Sequence, residues 1–259
     1  MQDKVQVEKP IVLITGATSG IGQATAFLLA KEGYRLILTA RRAEKLKKLG
    51  STLEDQYKMK CCVCPLDVRS LQAVKGFVGS LPPEWQSVSV LLNNAGLAAG
   101  LDPVQEGSTD DWDQMIDTNI KGLLYMTRMI APGMIKRGEG HIINIGSIAG
   151  KEVYPKGAVY CATKSAVEAL TKGMRLDLVP YGIKVSSVCP GAVETEFSLV
   201  RFKGDEARAS KVYEGFQPLQ AEDIADVIRF IISRPAHVNI QDVLIMPTAQ
   251  ASATIVHKK

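Results

Sequence analysis

Tyr160 and Lys164 stand four positions apart in "VYCATKSAV" (159–167), a run of small residues. On a helix that separation is about one turn, so both side chains rise from the same face and can act on one object. A free phenol titrates at about 10, and favouring its anion at neutral pH takes roughly 4 kcal/mol. An ammonium about 4 Å away, at an effective dielectric of roughly 20, supplies attraction of that order before desolvation takes part of it back. The pair is chemically sufficient for general acid–base work. Tyr and Lys at this spacing are also ordinary on an amphipathic helix, so the surrounding residues decide between the two readings.

The elements that would position the pair follow a repeating pattern: a short apolar, β-branched run, a turn, then a stretch of helical periodicity. "IVLIT" (11–15) precedes "GQATAFLLAKEG", and "YRLILTA" (34–40) precedes "RRAEKLKKLGSTLEDQY". "KCCVCPLD" leads to a helix from about Ser70, and "VSVLLNNAG" (88–96) to one around 110–136. "HIINIGS" (141–147) leads to the Tyr160 helix, "IKVSSVCPG" (183–191) to one near 221–233, and a last strand falls near 242–246. Seven strands alternating with helices predict an α/β fold, a Rossmann-type doubly wound parallel sheet with helices on both faces. With no Pro/Gly-rich linker and no repeat, the chain reads as one domain over 1–259, with a polar segment near 192–216 suited to a substrate lid.

Composition narrows the function. At 259 residues, 46% hydrophobic and 22% charged, the chain can bury a sizeable core. A net charge of +4 without blocks of like charge argues against a nucleic-acid or membrane-surface role and fits a small anionic ligand. "MQDKVQVEKP" has no apolar leader core and no later run reaches the length of a membrane span, so the expectation is a cytoplasmic protein. Five cysteines, three of them in "CCVC" (61–64), and only three histidines offer no second pair at metal-ligand spacing. Cys61, Cys62 and Cys64 read as partly buried strand residues, and no metal is expected.

In doubly wound sheets ligands sit outside the carboxyl ends of the strands. After the first strand, "TGATSGIG" sets Gly16, Gly20 and Gly22 before a helix, where close backbone approach and unpaired amides suit a pyrophosphate. The second strand ends in Ala40, Arg41 and Arg42 rather than an acid, which favours a 2′-phosphate over a bare ribose. Cations are also disfavoured at a helix start unless an anion meets them. Asp67, at the third strand's end, could accept from an adenine amine or cap the next helix. Asn93, Asn94 and Gly96 suit a tight turn, and Ser147, on the same rim, could hydrogen-bond a substrate oxygen.

These features together resemble the short-chain dehydrogenase/reductase family: T-G-x-x-x-G-x-G at 15–22, N-N-A-G at 93–96, Asn119 in "DTNIKG", Ser147, Y-x-x-x-K at 160–164, and Pro190-Gly191. The resemblance covers nearly the whole chain. Within the family, "LPPEWQSVSVLLNNAGLAAG", "DDWDQMIDTNIKGLLYMTR", "GHIINIGSIAG" and "TEFSLVRFKGD" look like the NADP-dependent 3-hydroxy acid dehydrogenases acting on serine and allo-threonine. The resemblance implies Tyr160 as acid/base, Lys164 as holder of the nicotinamide ribose, Ser147 as orienter of the substrate oxygen, and Asn119 as support for a proton relay. It implies NADP contacts from Gly16, Thr18, Ser19, Gly20, Ile21, Gly22, Arg41, Arg42, Asp67, Val68, Asn94, Ala95, Gly96, Tyr160, Lys164, Pro190, Gly191, Val193 and Thr195. It also implies a homotetramer.

Arg201 and Lys203, in the 195–216 stretch, are candidates to meet a substrate carboxylate. Cys161 has nothing beside it to activate a thiol and reads as a small buried neighbour. Asn119 has a local alternative, since an Asn inside an apolar helix can bond locally and bend it. The same chemistry could serve a sulfonated aldehyde such as sulfoacetaldehyde, a diketone or a carrier-linked 3-oxoacyl group. A dinucleotide-binding regulator without chemistry is a further alternative, which the full set Asn119, Ser147, Tyr160 and Lys164 argues against.

Overall fold

The computed structural model describes residues 9–259; residues 1–8, which carry most of the segment read as lacking a leader, lie outside the described residues. Strands β1 (Ile11–Thr15), β2 (Arg35–Ala40), β3 (Cys61–Pro65), β4 (Val88–Asn93), β5 (Gly140–Ile145), β6 (Ile183–Pro190) and β9 (Asp242–Ile245) form one sheet in the order β3-β2-β1-β4-β5-β6-β9. Every pairing in it is parallel. The connecting helices are α1 (Gly20–Lys31), α2 (Ala43–Tyr57), α3 (Leu71–Gly79), α4 (Thr109–Ile116), α5 (Leu123–Arg137), α6 (Ala158–Leu178) and α9 (Ala221–Ile232). The seven expected strands are all present. Cys61, Cys62 and Cys64 lie partly buried in β3, as their pattern implied.

Side-chain alternation explains why these strands read as continuous apolar runs. Val12 and Ile14 face one way, into a core with Leu29 of α1, Leu46 and Leu53 of α2, and Ile224 and Ile228 of α9. Ile11 and Leu13 face the other way, toward Phe77 of α3, Met126 and Ile130 of α5, and Leu178 of α6. A strand covered on both faces has no polar side to alternate with. The order reverses between β1 and β4, so the connections leaving them lead to helices on opposite faces, the switch point beside which such sheets bind ligands.

Three features have no counterpart in the sequence reading. Between α4 and α5 the chain widens into a π-helical turn, Asp117–Gly122, which carries Asn119. The expected lid contains two short helices, α7 (Glu196–Arg201) and α8 (Glu206–Lys211), flanked by β7 (Val193–Glu194) and β8 (Leu219–Gln220). Those two strands pair in parallel as a separate small sheet. Asp67 does not cap α3, because Ser70 does, its side chain accepting from the Ala73 amide. Among the described residues no helix is long and apolar enough to cross a membrane.

Helix α2 packs closely on β3 because Gly50 has no side chain: a Cβ there would lie 2.6 Å from Val63 Cγ2. Gly76 of α3 faces open space. Gly50→Ala should therefore cost about 1–3 kcal/mol through overpacking, whereas Gly76→Ala should add about 0.5–1 kcal/mol by restricting the unfolded chain. Urea unfolding of the two variants measures both signs.

Candidate active site

A cleft of about 680 Å³ runs along the carboxyl ends of the strands. Its floor near β1 is the glycine-rich loop. Gly16 takes φ +66°, and a Cβ there would lie 3.0 Å from Ala95 Cα, so the two loops meet backbone to backbone. Thr15 ties them: its Oγ1 accepts from the amides of Asn94 (3.0 Å) and Ala95 (2.9 Å), while Asn94 Nδ2 donates to Thr15 O (2.9 Å) and Gly16 O (3.2 Å). Ser19 stands before α1 without a side-chain cap, and the first turn holds no acid, leaving the helix start suited to an anion. Thr18, Ser19, Gly20 and Ile21 line the cleft. Gly22 does not line it: a Cβ there would lie 2.5 Å from Asn94 Nδ2 and 2.6 Å from Gly16 O, so it is a packing glycine.

Arg41 and Arg42 line the same cleft beyond the loop. Arg42 is docked on Thr18, its Nε and Nη2 donating to Thr18 Oγ1 at 3.2 and 3.1 Å, with Nη1 donating to Glu196 Oε2 at 2.7 Å. Asp67 and Val68 form part of the wall, with Asp67 gripped by Arg69, which reaches Oδ2 at 2.6 Å and holds the carboxyl below its usual range. Asn94, Ala95 and Gly96 close one side; Pro190, Gly191, Val193 and Thr195 close the other. The residues fit a dinucleotide: a glycine-rich loop before an uncapped helix start, with guanidiniums placed beyond it.

Ser147, Tyr160 and Lys164 meet at the far end. Ser147 precedes the short 3-10 turn Ile148–Gly150 and its Oγ accepts from the Ala149 amide at 3.1 Å. Tyr160 lies in the first turn of α6, and its ring packs on Phe197 with centroids 5.7 Å apart. Burial pushes the Tyr160 phenol above its ordinary range and Tyr154 adds to the push, while a hydrogen bond with Ser147 and the Arg201 guanidinium pull it back. Lys164 is buried, donates from Nζ to Ile145 O at 2.8 Å, and lies 6.0 Å from the Tyr160 ring centroid. The ammonium is thus anchored on the last carbonyl of β5. Burial lowers its pKa to about 8, against opposing pulls from Cys189 and Glu168.

Asn119 stands behind the cleft wall. Its Nδ2 donates to Leu97 O (2.8 Å) and Thr163 Oγ1 (3.0 Å), and its Oδ1 accepts from the Leu97 amide (2.9 Å). It therefore holds the segment after Gly96 from inside a π turn. Gly96 keeps the gap clear, since a Cβ there would meet Asn119 Oδ1 at 3.3 Å and Lys164 Nζ at 3.6 Å.

Of the two lid cations, the structure brings one to the site. Arg201 ends α7, its Nε donating to Gly100 O at 3.2 Å, with the guanidinium 5.4 Å from the Tyr154 ring centroid and 5.7 Å from that of Tyr160. Lys203 instead pairs with Asp111 at 2.9 Å and does not line the cleft. Sequence reasoning missed Tyr154 and Phe197, both cleft-lining. An aromatic residue in the loop between Ser147 and the Tyr160 helix was the available signal for Tyr154. Beneath the site, Lys151 bridges Glu168 (3.2 Å) and Asp242 (2.6 Å), and Glu168 Oε1 accepts from Ser187 (2.7 Å) and Cys189 (3.0 Å). Glu168, Cys189 and Asp242 are near enough together to hold a metal ion, but the Lys151 ammonium already supplies positive charge to both carboxylates.

The depressed Lys164 pKa has a signed consequence. Between about pH 8 and the ordinary lysine value, the unfolded chain holds this proton and the folded one has released it, so stability from this group rises with pH across that window. A lysine-selective NMR titration should show Lys164, assigned with Lys164→Arg, changing near pH 8 while surface lysines titrate about two units higher. A Lys164 midpoint among the surface lysines would contradict the burial argument.

Known proteins resemble this chain over nearly its whole length. The family model described as short chain dehydrogenase matches residues 10–205. The chain is 46% identical over 250 residues to the NADP-dependent 3-hydroxy acid dehydrogenase YdfG of Salmonella typhi, covering 96% of this chain and 99% of that one. It is 46% identical over 242 residues to sulfoacetaldehyde reductase 2 of Chromohalobacter salexigens, covering 93% and 95%. The solved closed form of serine dehydrogenase complexed with NADP+ superimposes with a TM-score of 0.90 at 44% identity, covering 96% of this chain and all of that one. A Rossmann-type sheet, the loop and tyrosine–lysine geometry and a family match across three quarters of its length lead to one conclusion: the chain belongs to the short-chain dehydrogenase family.

Proposed function

We propose that this protein is an NADP-dependent oxidoreductase acting on short 3-hydroxy acids of the serine, allo-threonine or 3-hydroxypropionate type, or on the matching 3-oxo acids and semialdehydes. The observation that carries the reading is one cleft with Arg41 and Arg42 at one end and Ser147, Tyr160, Lys164 and Arg201 at the other. The relatives named as NADP-dependent 3-hydroxy acid dehydrogenases support it.

Arg42 and Arg41 hold the 2′-phosphate, and the loop 16–22 with the start of α1 holds the pyrophosphate. When bound, the nicotinamide takes up or releases the hydride. Ser147 Oγ and the Tyr160 hydroxyl grip the substrate oxygen; Tyr160 accepts its proton in oxidation and returns one in reduction. Lys164 holds the nicotinamide ribose and adds positive charge next to the phenol. Asn119 uses its side chain on Leu97 and Thr163, so its support for a proton relay runs through the backbone of the π turn. Arg201, stacked over Tyr154 and Tyr160, meets the substrate carboxylate as α7 covers the site. No step requires a metal.

A sulfonated aldehyde offers Arg201 the same anionic handle, and the relative named sulfoacetaldehyde reductase supports that second reading. The chain works as one domain with 192–216 as its lid, in a cytoplasmic homotetramer, the assembly its family resemblance implies.

A panel of hydroxy acids, sulfoacetaldehyde and neutral carbonyls, followed by nicotinamide absorbance with both phosphorylated and unphosphorylated cofactor, tests the assignment. Turnover of 3-hydroxy acids with NADP+ is the expected result; tight NADPH binding without turnover on any member would contradict it. Arg201→Ala should raise KM at least tenfold for acidic substrates, roughly 1.4 kcal/mol, and little for neutral carbonyls, and equal effects on both would remove Arg201 from the substrate site.

A further inference from the structure

Helix α7 touches both ends of the cleft. It has six residues, a span of about 9 Å. Arg201, its last residue, lies over the Tyr160 ring. Glu196, its first, accepts from Arg42 Nη1 at 2.7 Å and from Lys45 Nζ at 3.3 Å. Arg42 is otherwise spent on Thr18, so Glu196 occupies the edge of the guanidinium that remains. The two cations hold the Glu196 carboxyl below its usual range, Arg42 first. The lid thus presents a carboxylate to the arginine that the proposed function assigns to the cofactor's 2′-phosphate.

We propose that Glu196 is a stand-in for that phosphate and a specificity-determining residue: it latches the lid to Arg42 and Lys45 until the 2′-phosphate of NADP displaces it. The inference rests on the reading that Arg42 takes the phosphate. A phosphate carries more negative charge than a carboxylate and offers more acceptor oxygens, so it wins the guanidinium. Two anions on one guanidinium repel, so Glu196 cannot keep its bond to Arg42 once the phosphate has arrived. The outer end of α7 is then released, while its inner end stays fixed on Gly100 through Arg201 and the Gly100 amide. The unphosphorylated dinucleotide brings no competitor and leaves the latch closed. Occupancy of the phosphate site is in this way transmitted along one short helix to the residue over the catalytic tyrosine. Glu196 is a positioning residue here, since it touches neither substrate nor reacting atoms.

Calorimetric titration of the wild type, Glu196→Gln and Arg42→Ala with NADP+ and with NAD+ tests this without turnover. Both Arg42 and Glu196 are partly exposed, so each ion pair is modest, and Glu196→Gln should tighten NADP+ roughly threefold to tenfold while leaving NAD+ within about twofold. Hydrogen exchange over 196–201 should change in the wild type with NADP+ but not with NAD+, and in free Glu196→Gln should already match the NADP+-bound wild type. Unchanged or weaker NADP+ binding by Glu196→Gln, or an equal gain for both cofactors, overturns the latch. If Arg42→Ala keeps full NADP+ affinity, the phosphate reading itself fails and takes the latch with it.

Discussion

The site depends on an ammonium kept inside the protein. Lys164 Nζ is held by the Ile145 carbonyl at 2.8 Å, one helical turn beyond Tyr160. Ionising a phenol at neutrality takes roughly 4 kcal/mol, and burial of Tyr160 adds to that cost. In the proposed reaction, stabilisation of the phenolate is shared among Lys164, the hydrogen bond with Ser147, Arg201 and the positive charge of an oxidised nicotinamide, so the tyrosine becomes competent as the site fills. The fold serves this arrangement: β5 ends where its carbonyl can accept from Lys164, Gly96 keeps the space before Nζ clear, and the Lys151–Glu168–Asp242 cluster secures the helix beneath.

Much of this was legible in the sequence because the signals were local. Strands such as 11–15 and 36–40 are apolar on both faces, the pattern expected of a doubly covered parallel sheet when it alternates with helical stretches. The glycine spacing after β1 and the tyrosine–lysine spacing are fixed by backbone geometry within one turn. What escaped depends on contacts between distant segments. The π turn at 117–122 sets Asn119 to bond Leu97 and Thr163, partners 22 and 44 residues away. Phe197 reaches Tyr160 only through the path of the lid. Lys203 carries the same charge as Arg201 two positions earlier, yet Asp111 takes it and turns it from the cleft. Asp67 was open to two readings because cap and ligand residues share a chemistry; Ser70 three positions on takes the cap.

In the proposed reading, segment 192–216 links cofactor and substrate recognition. A chain with two arginines at the end of β2 and a third on α7 keeps cations along one cleft, where they repel one another until anions arrive. Glu196 meets that need in the structure by pairing with Arg42, while Asp111 holds Lys203 away from the cleft. Charge neutralisation by the protein's own carboxylates, rather than by bulk solvent, makes ligand entry an exchange of partners.

In the proposed reaction Tyr160 stays a protonated, buried phenol until an oxidised nicotinamide shares its site. Ultraviolet difference titration, with Tyr160→Phe subtracted, measures this directly. The Tyr160 phenol should ionise above the usual tyrosine range in the free protein and at clearly lower pH with NADP+ bound. The same midpoint in both states, or a free-protein midpoint already near neutrality, would contradict it.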